Sequence, residues 1–105
     1  MQIQINTDNH IVGHEALQSR VEGMIEQYLG HHFDGLTRIE AYLSDANTVA
    51  KSGDKDKQCA LEARPRGSGP VGATHQDEDM EGAIRGACQK LRKQLEELAE
   101  RRRGY

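Results

Sequence analysis

Apolar and polar residues alternate at four places along the chain and recur every three to four residues at two others. Gln2, Ile3, Gln4, Ile5 and Asn6 alternate, which predicts a short first strand. From 15 to 29 the apolar positions are Ala16, Leu17, Val21, Met24, Ile25, Tyr28 and Leu29, one face of a helix. Gly30 stands just past the last of them, a natural stop. Gly23 inside that helix costs ~1 kcal/mol relative to Ala, so packing must hold it. Residues 31–36 read as a loop. From 37 to 43 the alternation returns, with Ile39, Ala41 and Leu43 on one side and Arg38, Glu40 and Tyr42 on the other. A polar, turn-rich stretch over 44–57 separates this strand from the next. Over 58–64, Cys59, Leu61 and Ala63 face inward, and Gln58, Ala60, Glu62 and Arg64 face outward. Both prolines, Pro65 and Pro70, bracket a glycine-rich turn. Residues 71–75 form a weaker strand that leans on its neighbour because Gly72 lowers its propensity.

Asp77, Glu78 and Asp79 open the last helix, where carboxylates cap free N–H groups and oppose the helix dipole. Its apolar stripe is Met80, Ile84, Ala87, Cys88, Leu91, Leu95 and Leu98. The predicted order is β-α-β-β-β-α, an α+β class. Each helix has one apolar stripe and each strand one apolar face. The economical packing is therefore two helices on one face of a four-stranded mixed sheet. The first two strands, joined by a helix, should run parallel with a right-handed crossover, and the rest should follow as an antiparallel meander. No internal repeat and no second domain are visible, so residues 1–105 are expected to form a single domain.

The chain has 105 residues, 35% hydrophobic and 30% charged, with one Phe and no Trp. That suits one modest core under a heavily charged surface. No apolar run approaches the ~18 residues of a membrane span. The start lacks the basic flank and apolar stretch of a signal peptide, so a cytoplasmic, membrane-free protein is expected. Cys59 and Cys88 are the only cysteines and have no metal-ligand spacing. They read as reduced thiols serving as small core residues.

The net charge of −3 disguises an uneven distribution. Residues 1–84 hold 7 of the 14 Lys/Arg and 14 of the 17 Asp/Glu, a net −7; residues 85–105 carry net +4. Screening makes such fields local, over ~8 Å at physiological salt, so the basic end can meet phosphate despite the acidic remainder. At 100° per residue, Lys90, Lys93 and Arg101 lie along one flank of the last helix and Arg85, Arg92 and Arg103 along the other. Arg20, from the first helix, and Arg64 and Arg66, at a strand end, extend the candidate footprint. Guanidinium groups suit bidentate phosphate contact. The competing reading is a solvated helix whose cations pair four residues along, as Arg92–Glu96 and Lys93–Glu97 could.

Other chemistry finds little support. His31, His32 and Asp34, and His75, Asp77 and Asp79, are the candidate metal ligands, without the spacing of a catalytic zinc site. No phosphate loop, dinucleotide fingerprint or nucleophile motif is present. The glycine-rich turn after Arg66 opens a strand, where no helix N-terminus can cradle phosphate. The alternation buries Cys59, which disfavours it as a nucleophile. No catalytic residue, metal, cofactor or small-molecule substrate is expected.

Two segments carry a family resemblance: Asp79-Met80-Glu81-Gly82-Ala83-Ile84 and Lys90-Leu91-Arg92-Lys93-Gln94-Leu95. With the opening Ile3-Gln4-Ile5 and the helix from Ala16-Leu17 through Val21, they resemble the ribosome hibernation factor family over essentially the whole chain. That family includes the hibernation promoting factors, ribosome-associated inhibitor A and the sigma-54 modulation proteins. The resemblance implies a dsRNA-binding-domain-like fold. It also implies binding to small-subunit 16S-type rRNA near the decoding centre, with mRNA and tRNA blocked by occupancy. The chain ends after the last helix and so looks like a short member: a monomer or weak dimer that should not pair ribosomes by itself. Paired ribosomes in a sedimentation profile after adding this chain alone would refute that. The sequence also departs from the family. Met24 and Gln27 stand where basic residues are common, Glu22 and Glu26 are acidic, and Glu97 stands where Lys is frequent; each lowers the positive charge on offer. The alternative is a protein-interaction or regulatory domain of the same fold, using Arg38, Glu40, Tyr42, Glu62 and Arg64 on the open sheet face without RNA binding.

Overall fold

The computed structural model describes residues 1–8, 14–45 and 57–103, with the backbone alone at 14, 102 and 103. Part of Thr7-Asp8-Asn9-His10, whose residue types predict a turn, and most of the polar connection over 44–57 lie outside the described residues. The element order is the predicted one. Strand β1 (Gln2–Thr7) leads to helix α1 (His14–Leu29), strands β2 (Leu36–Asp45), β3 (Lys57–Pro65) and β4 (Val71–Asp77), and helix α2 (Met80–Arg103). The sheet order is β1-β2-β3-β4, with β1 parallel to β2 and the remaining pairs antiparallel.

Register follows the alternation read from the sequence. Ile3 pairs with Ile39 and Ile5 with Ala41; Ala41 pairs with Leu61 and Leu43 with Cys59; Leu61 pairs with Ala73. One face of the sheet is therefore largely apolar, with His75 and Asp77 of β4 as its polar margin. Helix α2 covers it across β3 and β4, and α1 packs on β1 and against α2. Val21, Ile25 and Leu29 from α1 meet Ala83, Ile84, Ala87, Cys88, Leu91 and Leu95 from α2 in one buried cluster with the strand residues. Burying a Leu or Ile side chain contributes about 1.5–3 kcal/mol, so this cluster is the main stabilising term. Cys59 and Cys88 are both fully buried free thiols, and burial pushes each up to about 12.

The structure corrects three local expectations. Residues Gly30–Gly35 form a 3-10 helix, η1, where a loop was expected. Gly30 does follow the last residue of α1, as expected, although Gly67 is the one described glycine with positive φ. Pro65, assigned to the turn, instead closes β3 and pairs with Leu36. The reversal comes one residue later: Ser68 N–H donates to Pro65 O at 3.3 Å, and Gly67 holds φ 72°, as the third position of a type II turn requires. Glu40 points to the open face but is only 8% exposed. Arg38 Nη2 sits 3.1 Å from one of its oxygens and the Tyr42 hydroxyl donates to the other, so the buried carboxylate is paired. That hydrogen bond, more than burial, pushes the Tyr42 phenol above its ordinary range.

Candidate nucleic-acid interface

Of the three carboxylates expected to open helix α2, Asp77 instead ends β4, and the helix starts at Met80, just after Asp79. Asp79 Oδ1 accepts from Gly82 N–H at 2.6 Å, the contact of an N-cap. From there one row of residues, four apart, runs along the β4 edge. An added Cβ on Gly82 would lie 2.6 Å from Asp77 Cγ, and one on Gly86 would lie 2.1 Å from His75 Cδ2. The two glycines are notches that admit side chains from β4. The row continues with Lys90, whose Nζ donates to Thr74 O at 3.0 Å, and Gln94, whose Nε2 donates to Gly72 O at 2.6 Å. Lys90 is thus a cation anchored by a neutral acceptor. Its side chain remains exposed.

The other predicted cations divide by position. Arg20 of α1 and Arg85 of α2 converge on Glu81, at 3.4 Å and 3.5 Å from its two oxygens. One carboxylate between two guanidinium groups leaves net positive charge at the junction of the helices. Arg92 Nε lies 3.8 Å from Glu96 Oε2, a loose exposed pair four residues along the helix. The matching Lys93–Glu97 pair is not formed, and among the described residues neither Lys93 nor Arg101 makes an ion pair. Arg103 was placed on the Arg85 flank, but its side chain lies outside the described residues.

Two predicted residues stand apart. Arg64 lies on the open face of the sheet, away from the helices, with Nη2 at 3.2 Å from Glu62 Oε1. It faces Arg38 across the strands while Glu62 faces Glu40, a four-charge patch that sums to zero. Arg66 sits at the end of the sheet, where its Nε donates to Asp34 O at 3.2 Å and its N–H donates to Gly35 O at 2.9 Å. Beside it Leu36, Pro65, Leu95, Leu98 and His32 surround a cavity of about 90 Å³. Burial there lowers the His32 pKa; Glu96 opposes the shift, and His31 and Arg92 add to it.

The helical layer therefore offers an exposed basic stretch, with Glu81 and Glu96 paired at its two ends. Arg85, Lys90, Arg92 and Lys93 are all exposed, and no Asp or Glu lies between 85 and 93. Exposed Glu96, Glu97 and Glu100 separate this stretch from Arg101, and exposed Glu22 and Glu26 line the outer side of α1. The positive surface is a patch rather than a continuous band.

The model of one protein family, described as sigma 54 modulation protein / S30EA ribosomal protein, matches residues 3–103. The chain belongs to this family. The S30EA assignment accounts for the fold from β1 to the last turn of α2. A ribosomal subunit interface protein from Coxiella burnetii superposes with a TM-score of 0.74 at 19% identity, covering 94% of this chain and 98% of that one. The N-terminal domain of Protein Y from Thermus thermophilus gives 0.72 at 20% identity, covering 93% and 99%. At such identities the likeness is one of fold. No curated protein sequence matches the chain. The family is described by a ribosomal protein, and the Coxiella burnetii neighbour is named for the ribosomal subunit interface. In this member, among the described residues, no group of three or more His, Cys, Asp or Glu is placed to hold a metal. No helix among them is long and apolar enough to cross a membrane.

Sequence reasoning missed two features of the interface. Glu81 had a readable signal in its spacing from Arg85, but its contact with Arg20, 61 residues away, had none. The anchoring of Lys90 on a β4 carbonyl depends on how α2 crosses the sheet, which no local pattern encodes.

Proposed function

We propose that this chain attaches to the ribosome through small-subunit rRNA near the decoding region, keeping mRNA and tRNA out by occupancy. The observation that carries the reading is the exposed stretch of Arg85, Lys90, Arg92 and Lys93 on α2, with no Asp or Glu among residues 85–93, in a member of a ribosomal family. Structured RNA is held chiefly through its phosphates and shape. Four exposed cations on adjacent turns of a rigid helix suit that task, with Arg20 and Arg101 extending the patch. Arg66 could reach the same RNA only around the end of the sheet, and Arg64 faces the opposite way. The acidic flank of α1 limits the contact to the α2 side.

Co-sedimentation with purified small subunits tests the proposal. Binding at low salt that falls with a log–log salt slope of about −3 is expected for four phosphate contacts. Absence of co-sedimentation at low salt refutes it. A second reading, a protein-binding domain using the open sheet face, is favoured by the interruption of the positive surface and by Tyr42, 46% exposed amid neutralised charges. It requires salt-insensitive attachment to a protein and no retention of RNA.

A further inference from the structure

The two edges of the sheet are finished differently. On β4 the Gly72 and Thr74 carbonyls are occupied by Gln94 and Lys90, which closes that edge to another strand. On β1 the parallel register, with Asp8 N–H donating to Leu43 O at 3.1 Å, turns the backbone groups of even-numbered residues toward β2. Alternation then turns the N–H and C=O of Ile3 and Ile5 outward. Among the described residues, no hydrogen bond reaches these groups. The strand carries no charge and no proline, and its register with β2 runs without a bulge. These are the devices that ordinarily guard an edge from pairing, and β1 has none of them.

We infer that β1 is a self-association edge, pairing antiparallel with β1 of a second copy about a two-fold axis at Gln4. Such an interface must be self-complementary. The segment Gln2-Ile3-Gln4-Ile5-Asn6 meets that condition, because its polar and apolar positions read the same in both directions. Ile3 faces Ile5 of the second copy, and Gln2 faces Asn6 of the second copy. Each Ile3–Ile5 pair exchanges two backbone hydrogen bonds, satisfying the outward groups. The isoleucines, half-buried in one copy, then cover each other on the helix side, while the amides meet on the open side. No charge meets its own image, which is why a second copy fits better than an arbitrary strand. The product is a continuous eight-stranded sheet with all helices on one face.

Sedimentation equilibrium of the full chain, over roughly 10 μM to 1 mM, tests this. A monomer–dimer equilibrium is expected, with exchange of the Ile3 and Ile5 amides slowing as concentration rises. Gln4→Glu and Gln4→Lys each set like charges face to face at the axis and should raise the dissociation constant about fivefold. An equimolar mixture of the two variants sets opposite charges there and should restore association. Gln4 is exposed, and its Oε1 accepts from Arg38, so the glutamate form keeps that partner. Circular dichroism of each variant checks that it is folded. A wild-type chain that stays monomeric throughout, or folded variants that associate like wild type, would overturn the inference. So would a mixture no tighter than either variant alone.

Discussion

Helix α1 buries one complete row of side chains, Val21, Ile25 and Leu29, flanked by the half-buried Leu17, Met24 and Tyr28. Helix α2 buries two rows, with Ala83, Ile84, Ala87, Cys88, Leu91 and Leu95 fully inside, and spans two strands. A single row holds a helix at one line of contact, whereas a double row fixes its rotation as well. The outer surfaces differ in the same sense. The helix whose rotation is fixed presents Arg85, Lys90, Arg92, Lys93 and Arg101 beside its own glutamates, and the one held along a line presents Glu15, Glu22 and Glu26 against a single Arg20. Even their glycines differ: Gly86 is filled by the His75 ring, whereas a Cβ on Gly23 would meet nothing within 4 Å. The lesson is that the cations proposed for RNA contact sit on the element whose orientation packing determines most firmly.

Truncation inside the double row should have the largest effect. Leu91→Ala removes a fully buried side chain from α2 and should cost about 3 kcal/mol in denaturant unfolding. A loss below about 1 kcal/mol would mean that α2 is not the better-anchored helix. Next comes the notch. Gly86→Ala forces the His75 ring from its place and should destabilise by about 1–2 kcal/mol despite the gain in helix propensity. Adding His75→Ala should recover most of that loss; a simple sum of the two effects would show that the contact is not the cause. Lys93→Gln should leave stability unchanged, weaken ribosome attachment by about 1 kcal/mol, and reduce the salt slope by about 1. An unchanged slope would remove Lys93 from the interface. The smallest effect has the opposite sign. Gly23→Ala on α1 should stabilise by about 0.5–1 kcal/mol, because the added methyl enters open space while the unfolded chain loses freedom. Destabilisation there would show that α1 is packed as tightly as α2.

Much of the fold was legible because its elements are local patterns. Alternation in β2 and β3 named the residues that fill the core, Ile39, Ala41, Leu43, Cys59, Leu61 and Ala63. Periodicity named Val21, Ile25 and Leu29 of α1 and Ile84, Ala87, Cys88, Leu91 and Leu95 of α2, but it counted exposed Ala16 on the apolar face and left buried Ala83 off it. The misreadings fell where a long-range neighbour decides the outcome. Glu40 lies at a solvent-facing position of its strand, yet Arg38 and Tyr42 close over it. Pro65 looks like turn punctuation, but at the end of β3 it can pair with Leu36. The Gly30–Gly35 segment has no apolar period, so its 3-10 turns left no trace in the pattern. In the candidate interface the cations and their helix were readable, and so was the Arg92–Glu96 spacing. The Arg85–Glu81 spacing and the outward face of Arg64 were readable too, but the reach of Arg20 to Glu81 belongs to the tertiary arrangement and had no signal in the chain.

The sealed sulfurs of Cys59 and Cys88 give the domain an internal record of its own opening. One lies on β3 and the other on the helix laid over it. With thiols so reluctant to ionise, an alkylating reagent has almost no thiolate to attack until the two layers separate. The labelling rate therefore measures how often α2 lifts off the sheet. Because the same helix bears the proposed RNA contacts, a bound ribosome should slow that labelling.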